Sequence, residues 1–244
     1  MHAVHQLYQY RKSLSTTTYK SRGHKVDRCD YCRLAKENCL CQQRVSLTSK
    51  AAFLLLMYDT EVLKPSNTGK LIADLIPQTY AFLWSRTEVD HALLDLIKNE
   101  KYQPFIIFPS EYATEEQQVF HQSVVLNNKK QPLFILLDGS WREAKKMFRK
   151  SPYLQGIPIL SIDPQQLLAK DYLPKYHIRT SAKGHQLATA EVAALVLAVI
   201  GEHNNAAILD SWFDYYNYQY QRSVCQSNKG DAEAEQRYKR LIAK

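Results

Sequence analysis

Four cysteines near the start of the chain are the clearest candidates for chemistry. Cys29, Cys32, Cys39 and Cys41 follow the spacing C-x2-C-x6-C-x-C, whereas Cys225 stands alone. In a reducing compartment, thiols this close together favour a metal over disulfides. The pattern therefore predicts a structural zinc site with four thiolate ligands. An iron–sulfur cluster, which also takes four thiolates, stays open as the alternative.

Two polar segments follow predicted strands and contain a glycine. The segment 64–71, KPSNTGKL, is similar to a phosphate loop but lacks that loop's first glycine and the hydroxyl after Lys70, so an NTPase loop is excluded. The segment 138–144, DGSWREA, directly follows an apolar run. Ser140 and Glu143 have the spacing of a helix capping box, so a helix begins here with Asp138 at the tip of the preceding strand.

A third polar segment, 179–191, has the sequence RTSAKGHQLATAE and leads into an apolar helix. Ligands of parallel α/β sheets bind where strand ends meet helix starts. We therefore expect the three segments to meet there. Asp138 is expected at the tip of a buried strand there, and Gly139 leaves its backbone open to a ligand.

The elements that must position these residues alternate between apolar runs and helical patterns, which predicts an α/β domain with a mainly parallel sheet. Buried strands are predicted at 51–57, 80–84, 105–108, 133–137 and 157–162. Helices are predicted at 67–76, 90–99, 114–126, 140–150, 186–203, 206–223 and 231–243.

The net charge of +8 on 244 residues is unevenly distributed. Residues 1–50 contain 10 Lys and Arg against 3 Asp and Glu, while the rest of the chain is nearly neutral. A basic, cysteine-rich front favours a nucleic-acid partner, although a basic segment that only aids solubility fits the same count. No apolar run approaches the roughly 18 residues of a spanning helix, and no secretory signal is seen, so we expect a soluble cytoplasmic protein without a membrane partner.

The same patterns predict four segments along the chain. Residues 1–27 are expected to be a mobile basic segment, 28–44 a zinc knuckle, 45–224 the catalytic domain and 225–244 a C-terminal helix. Nothing in the sequence implies a protein partner, and a monomer and a homodimer both stay open.

Together the three segments resemble the DTW-domain family. The resemblance rests on Pro65 to Leu71, on Asp138-Gly139-Ser140-Trp141 and on Leu187 to Glu191 preceded by Arg179. The cysteine spacing is similar to that of the family's bacterial members. Ser140 stands where the family has Thr, which keeps the hydroxyl. Ala188 and Tyr58 also depart from the usual Ser and His, so they receive no role.

The resemblance implies transfer of the 3-amino-3-carboxypropyl group of S-adenosylmethionine to N3 of a variable-loop uridine in tRNA, with release of 5′-methylthioadenosine. It also implies a SPOUT-like fold with a knot toward the C-terminal side, which would be a rare exception among chains. In that reaction Asp138 is the candidate base for the N3 proton or, alternatively, a carboxylate that binds the cofactor. The residues the resemblance implies for cofactor binding are Ser66, Asn67, Thr68, Gly69, Pro109, Asp138, Gly139, Ser140, Trp141, Leu187, Thr189 and Glu191. Those expected to contact RNA are Arg142, Lys145, Lys146, Arg149 and Arg179.

Three other functions stay open on the sequence. The chain could be a SAM-dependent RNA methyltransferase, an aminocarboxypropyltransferase acting on ribosomal RNA, or a zinc-dependent RNA-binding protein without catalysis. The first differs only in which sulfonium carbon faces the acceptor, which sequence spacing does not encode. The last differs in having no need to bind S-adenosylmethionine.

Overall fold

A computed structural model describes residues 1–17, 23–163, 187–225 and 227–243. In these residues six strands form one sheet in which every neighbouring pair is parallel, in the order β2-β1-β5-β3-β6-β4. The strands are β1 (Ala52–Met57), β2 (Thr79–Leu83), β3 (Tyr102–Ile107), β4 (Val119–His121), β5 (Gln131–Asp138) and β6 (Ile159–Ser161). This confirms the predicted α/β class and its parallel sheet.

Seven α-helices in the described part of the chain cover the sheet. They are α1 (Ala3–Ser13), α2 (Gly69–Leu75), α3 (His91–Lys98), α4 (Trp141–Arg149), α5 (Thr189–Val199), α6 (His203–Val224) and α7 (Ala234–Ile242). No described helix has both the length and the apolarity that crossing a membrane requires.

The sheet separates two apolar cores. Phe53, Leu55 and Phe134 point to the face that carries α2, α5, α6 and α7. Leu54 and Ile135 point to the opposite face, which carries α3 and α4. Because both faces of the sheet are covered, the central strands are apolar throughout, which is why they are evident in the sequence.

Two expectations are corrected. The predicted helix at 114–126 is wrong: this stretch contains β4, in which Val119 and Phe120 pair with β6. Within the segment expected to be mobile, residues 3–13 form α1, whose Val4 is fully buried in the core beneath the sheet. A helix needs only one short apolar stripe to pack, and Val4, Leu7 and Tyr8 supply it.

The predicted SPOUT-like knot stays a prediction. Residues 164–186, which join β6 to α5, lie outside the described residues, so the structure does not test a knot in this segment.

Candidate functional site

The first two sequence segments and the described part of the third, residues 187–191, meet at the centre of the carboxyl edge of the sheet. The connection from β1 runs toward β2 through α2 on one face, and the connection from β5 runs toward β6 through α4 on the other. Such a reversal opens a crevice beyond the strand ends, where α/β proteins bind ligands. Asp138, the last residue of β5, lies at this switch point, in register with Met57 of β1.

The Asp138 carboxylate joins the other two segments. Asn67 Nδ2 donates a hydrogen bond to Asp138 Oδ2 (2.7 Å), and Thr189 Oγ1 donates to Asp138 Oδ1 (2.7 Å). Asp138 is only 3% exposed. One carboxylate therefore holds the loop before α2 and the start of α5 at the end of β5, and we call Asn67, Asp138 and Thr189 the Asp138 cluster.

Gly69 is required by the Asp138 cluster. A Cβ atom at this position would overlap with Asp138 Oδ2. The absence of a side chain thus lets the first turn of α2 approach the carboxylate closely. At Gly139 a Cβ would lie 3.1 Å from Glu143 Cβ and 3.3 Å from Tyr58 Cβ. Gly139 therefore makes room for protein side chains, where the sequence suggested room for a ligand.

A second buried carboxylate extends the cluster. Glu61 Oε1 lies 3.4 Å from Asn67 Nδ2, and Glu61 Oε2 accepts a hydrogen bond from Lys64 Nζ (2.6 Å). The side-chain oxygen of Asn67 accepts from the backbone N–H of Lys70 (3.2 Å), which stabilises the start of α2. Asn67 therefore uses both ends of its amide to position the loop.

The helices on both sides of the cluster begin with acid caps. The predicted capping box at α4 is confirmed: Ser140 N–H donates to Glu143 Oε2 (2.7 Å), and Glu143 N–H donates to Ser140 Oγ (3.4 Å). At α5, buried Glu191 accepts from the backbone N–H of Ala188 (2.7 Å). These bonds satisfy helix-start N–H groups and fix the angle at which each helix leaves the sheet.

The remaining predicted cofactor residues lie in the segments next to the Asp138 cluster and differ in how far they are buried. Ser66 and Thr68 are buried in the loop beside Asn67, and Leu187 is half-buried just before α5. Pro109 follows the end of β3, the strand next to β5. The preceding Phe108 stacks on the ring of Trp141, with centroids 5.4 Å apart.

Helix α4 presents cations beside aromatic rings. Lys145 Nζ lies 5.8 Å from the ring centroid of Trp141, and Lys146 Nζ lies 5.5 Å from those of Tyr58 and Trp84. A pocket of about 500 Å³ opens here. Its lining includes all four predicted RNA-binding residues of α4, namely Arg142, Lys145, Lys146 and Arg149. Arg179, the fifth, lies outside the described residues.

Tyr58 connects this α4 face to the Asp138 cluster. Its backbone N–H donates to the Asp138 carbonyl (2.9 Å), while its hydroxyl accepts from Lys146 Nζ (3.2 Å). Its ring stacks on Trp84 with a centroid separation of 5.7 Å. Tyr58 therefore contacts both the backbone of Asp138 and the exposed Lys146.

The four predicted metal ligands gather into one cluster. The Sγ atoms of Cys29, Cys32, Cys39 and Cys41 all lie within 4.8 Å of one another, with 3.6 Å between Cys29 and Cys41 and 3.7 Å between Cys32 and Cys39. Tetrahedral zinc with Zn–S bonds of about 2.3 Å requires sulfurs roughly 3.8 Å apart. The four cysteines could therefore bind a metal such as zinc.

The spacing also separates the two metal alternatives. Two- and four-iron clusters place their cysteines on different iron atoms, so their ligating sulfurs spread further than those around one ion.

The thiols of this cluster differ in how readily they ionise. Burial raises the pKa of the Cys32 thiol to about 11. At Cys29 burial is outweighed by hydrogen bonds from the backbone N–H groups of Cys32 and Tyr31, which lower the pKa to about 7. A bound cation would hold all four groups as thiolates.

Two buried cations that the sequence analysis missed adjoin the cysteine cluster. Lys70 is 1% exposed, and burial lowers its pKa well below the usual value, with Arg33 adding to the effect. Arg33 is 5% exposed and has a left-handed backbone (φ 63°). The available signal was a lysine within the apolar start of α2, Gly-Lys-Leu-Ile-Ala, where the neighbouring residues are all buried.

One known protein family matches most of the chain. The family model of the DTW domain matches residues 26–221, which include the cysteine cluster, the sheet and the three segments of the crevice. No solved structure matches the chain.

Proposed function

Because the chain belongs to the DTW-domain family, a membership consistent with a tRNA-modifying function, we propose that it transfers the 3-amino-3-carboxypropyl group of S-adenosylmethionine to N3 of a uridine in tRNA. The observation that carries the proposal is the Asp138 cluster, in which one carboxylate receives hydrogen bonds from two other family segments at the switch point of a parallel sheet. A variable-loop uridine is the proposed acceptor.

The chemistry of the site suits a cationic co-substrate. S-adenosylmethionine has a sulfonium and an ammonium group, and the crevice is built around the carboxylates of Glu61, Asp138 and Glu191. Carboxylates in a buried site attract and orient cations strongly because the local dielectric constant is low. In the loop at 64–71, the Lys70 ammonium is bound to protein oxygens, so it is not presented to a phosphate.

The reaction needs alignment more than acid catalysis. When the bond between sulfur and the γ-carbon breaks, its electron pair leaves with sulfur in 5′-methylthioadenosine; the γ-carbon bonds to N3, and the N3 proton is released. The sulfonium needs no protonation to leave. Holding the γ-carbon and N3 in line therefore accounts for much of the rate enhancement.

We assign Asp138 primarily to binding and positioning. Both of its oxygens accept a hydrogen bond from the protein, so Asn67 and Thr189 fix the orientation of the carboxylate. The alternative is that Asp138 accepts the N3 proton directly, for which a buried carboxylate near the reacting atoms is also suited. The two roles differ in whether S-adenosylmethionine binding depends on Asp138.

We propose that the α4 face holds the RNA. Arg142, Lys146 and Arg149 are exposed, and no described acidic side chain forms a salt bridge with them. Cations beside aromatic rings bind phosphates and unstacked bases, the combination that single-stranded RNA loops offer. Since Tyr58 joins this face to Asp138, a uridine held there would lie beside the crevice.

We also propose that the cysteine cluster binds one structural zinc ion. The short distances between its sulfurs and its closed, four-ligand donor set support zinc in that role.

The identity of the adenosine product tests the transfer directly. Purified protein is incubated with S-adenosylmethionine and unmodified tRNA, and the products are separated by chromatography. We expect 5′-methylthioadenosine in proportion to modified tRNA. Release of S-adenosylhomocysteine would instead indicate a methyltransferase, and absence of S-adenosylmethionine binding in a thermal melt would indicate a binding protein.

A further inference from the structure

Lys70 and Arg33 are buried cations that form no salt bridge with an acidic side chain among the described residues; the carboxylate of Asp74 acts on both only from a distance, as does that of Glu61 on Arg33. Lys70 Nζ donates to the carbonyl oxygens of Cys32 (2.7 Å) and Pro65 (2.8 Å) and to the hydroxyl of Tyr216 (3.0 Å), which are three neutral acceptors. Arg33 Nη1 donates to the carbonyl oxygen of Val62. No described carboxylate forms a salt bridge with either cation.

Two such charges need a nearby counter-charge. A buried cation is costly unless it is paired, and hydrogen bonds to neutral oxygens offset only part of that cost. Both cations adjoin the cysteine cluster: Lys70 binds the carbonyl of Cys32, and Arg33 directly follows Cys32 and donates its backbone N–H to the Cys29 carbonyl (2.9 Å). Four thiolates around one divalent ion have a net charge of about −2, which adds to the charge that the more distant Asp74 and Glu61 carboxylates supply to the two cations.

The same two cations bind backbone carbonyls in the loop 61–70, which supplies Asn67 to the Asp138 cluster. Arg33 binds the carbonyl of Val62, next to Glu61, and Lys70 binds the carbonyl of Pro65. Asn67, which donates to Asp138, lies between Pro65 and Lys70. The contacts thus run without a gap from the cysteines through two cations to the loop 61–70.

We propose that the metal–thiolate centre provides the counter-charge for Lys70 and Arg33, so that metal binding orders the loop 61–70 and thereby the Asp138 cluster. Lys70 is then a positioning residue, and the metal does more than stabilise its own knuckle. The inference rests on the cysteine cluster binding a divalent metal and is independent of the transfer reaction.

The first test is metal affinity, measured by competition with a chromophoric chelator. We expect Lys70→Met, which keeps the length of the side chain but not its charge, to weaken zinc binding about 10- to 100-fold, as loss of a supporting group around a metal centre does. Lys70→Arg should restore most of that affinity. Tyr216→Phe removes the hydroxyl that accepts from Lys70 and donates to the Pro65 carbonyl, but it removes no charge, so it should change the affinity less than Lys70→Met does.

The matched control is Lys36→Met. Lys36 lies within the cysteine segment but is exposed and pairs with Asp27 (3.0 Å). Its loss should leave zinc affinity within about twofold of the wild-type value, since the exposed charge is screened by solvent. Wild-type zinc affinity in Lys70→Met would overturn the proposal.

The second test is hydrogen exchange of the wild-type protein with zinc and after chelation. We expect chelation to accelerate exchange in residues 61–70 as well as in 28–44, because the loop loses its charged anchors. Faster exchange confined to 28–44 would overturn the proposal. This measurement decides the question even if Lys70→Met does not fold.

Discussion

The Asp138 cluster and the α4 face lie on either side of Tyr58 but are built in different ways. In the cluster every side chain has a partner within the protein, and positions are fixed by hydrogen bonds of 2.7 Å in a buried crevice. On the α4 face the cations are largely exposed and contact aromatic rings. The first region depends on exact placement, whereas the second depends on the sum of its charges. Substitutions in the Asp138 cluster should therefore impair stability and S-adenosylmethionine binding, whereas substitutions on the α4 face should weaken tRNA affinity alone.

The largest effect is expected from Gly69→Ala, which would break the cluster from within. Its Cβ would overlap with the Asp138 carboxylate, so the start of α2 must move away from β5. We expect a loss of about 1–3 kcal/mol in the free energy of unfolding, together with loss of S-adenosylmethionine binding. Chemical denaturation and ligand-dependent melting measure the two effects.

Gly139→Ala is the matched control for Gly69→Ala. Its Cβ would meet Glu143 and Tyr58 at 3.1–3.3 Å, contacts that small shifts relieve. We expect a smaller loss of stability and retained binding. Equal effects of the two substitutions would show that close approach to Asp138 is not what Gly69 provides.

Asp138→Asn removes the negative charge of the Asp138 cluster with little change in the shape of the side chain. It leaves one of the two donors, from Asn67 or Thr189, facing an amide N–H in a buried site, which costs about 1–3 kcal/mol. We expect weaker S-adenosylmethionine binding by about 10- to 100-fold, the value of a charge-assisted hydrogen bond, and lower turnover. Calorimetry and single-turnover assays measure these quantities.

The result for Asp138→Asn also separates the two roles of this residue. Unchanged S-adenosylmethionine affinity with lost turnover would contradict the binding role and favour the base. Thr189→Val, which removes only the hydroxyl donor, serves as the milder companion variant and should weaken binding less.

Replacement of both Cys29 and Cys32 by Ser tests the metal prediction. We expect about one zinc per chain in the wild-type protein and none in the variant, since hydroxyls are poor zinc ligands compared with thiolates. Elemental analysis after gel filtration gives the stoichiometry. Cys225→Ser is the control and should retain the metal; iron in the wild-type protein would contradict zinc as the resident ion.

The α4 face should respond through affinity alone. Simultaneous replacement of Arg142, Lys145, Lys146 and Arg149 by Gln should weaken tRNA binding and reduce the slope of log affinity against log salt by about 3, because four phosphate contacts are lost. The melting temperature should change by only a few degrees, because these side chains are largely exposed and the charges are not buried. Fluorescence anisotropy across a salt series measures the slope.

Four lysines at the opposite edge of the sheet form the control set for the α4 face. Lys98, Lys101, Lys129 and Lys130 are exposed near the amino ends of β3 and β5. Their replacement by Gln removes the same charge far from the crevice. An equal loss of tRNA affinity would mean that net charge, and not the α4 face, holds the RNA.

Much of the fold was predictable because it depends on local pattern. The central strands are continuous apolar runs, and Ser140 with Glu143 marks the start of α4. The grouping of Asn67, Asp138 and Thr189 also followed from the rule that parallel strands end at one edge. These features are encoded in short stretches of sequence.

Other features depend on contacts between distant residues and were missed. Strand β4 has only three residues and exists because β6 pairs with it across the sheet. Lys70 is a surface residue by type, but its partners Cys32 and Tyr216 come from opposite ends of the chain. In the helix α1 only Val4 and His5 are buried, so its packing was hidden by a polar, basic composition.

Nucleoside mass spectrometry of tRNA incubated with the purified protein and S-adenosylmethionine tests the central claim most directly. The account predicts a uridine that gains the mass of one 3-amino-3-carboxypropyl group, located in the variable loop by nuclease mapping, with no gain for Gly69→Ala. A uridine that gains a single methyl group, or tRNA that stays unmodified while S-adenosylmethionine binds, would contradict it.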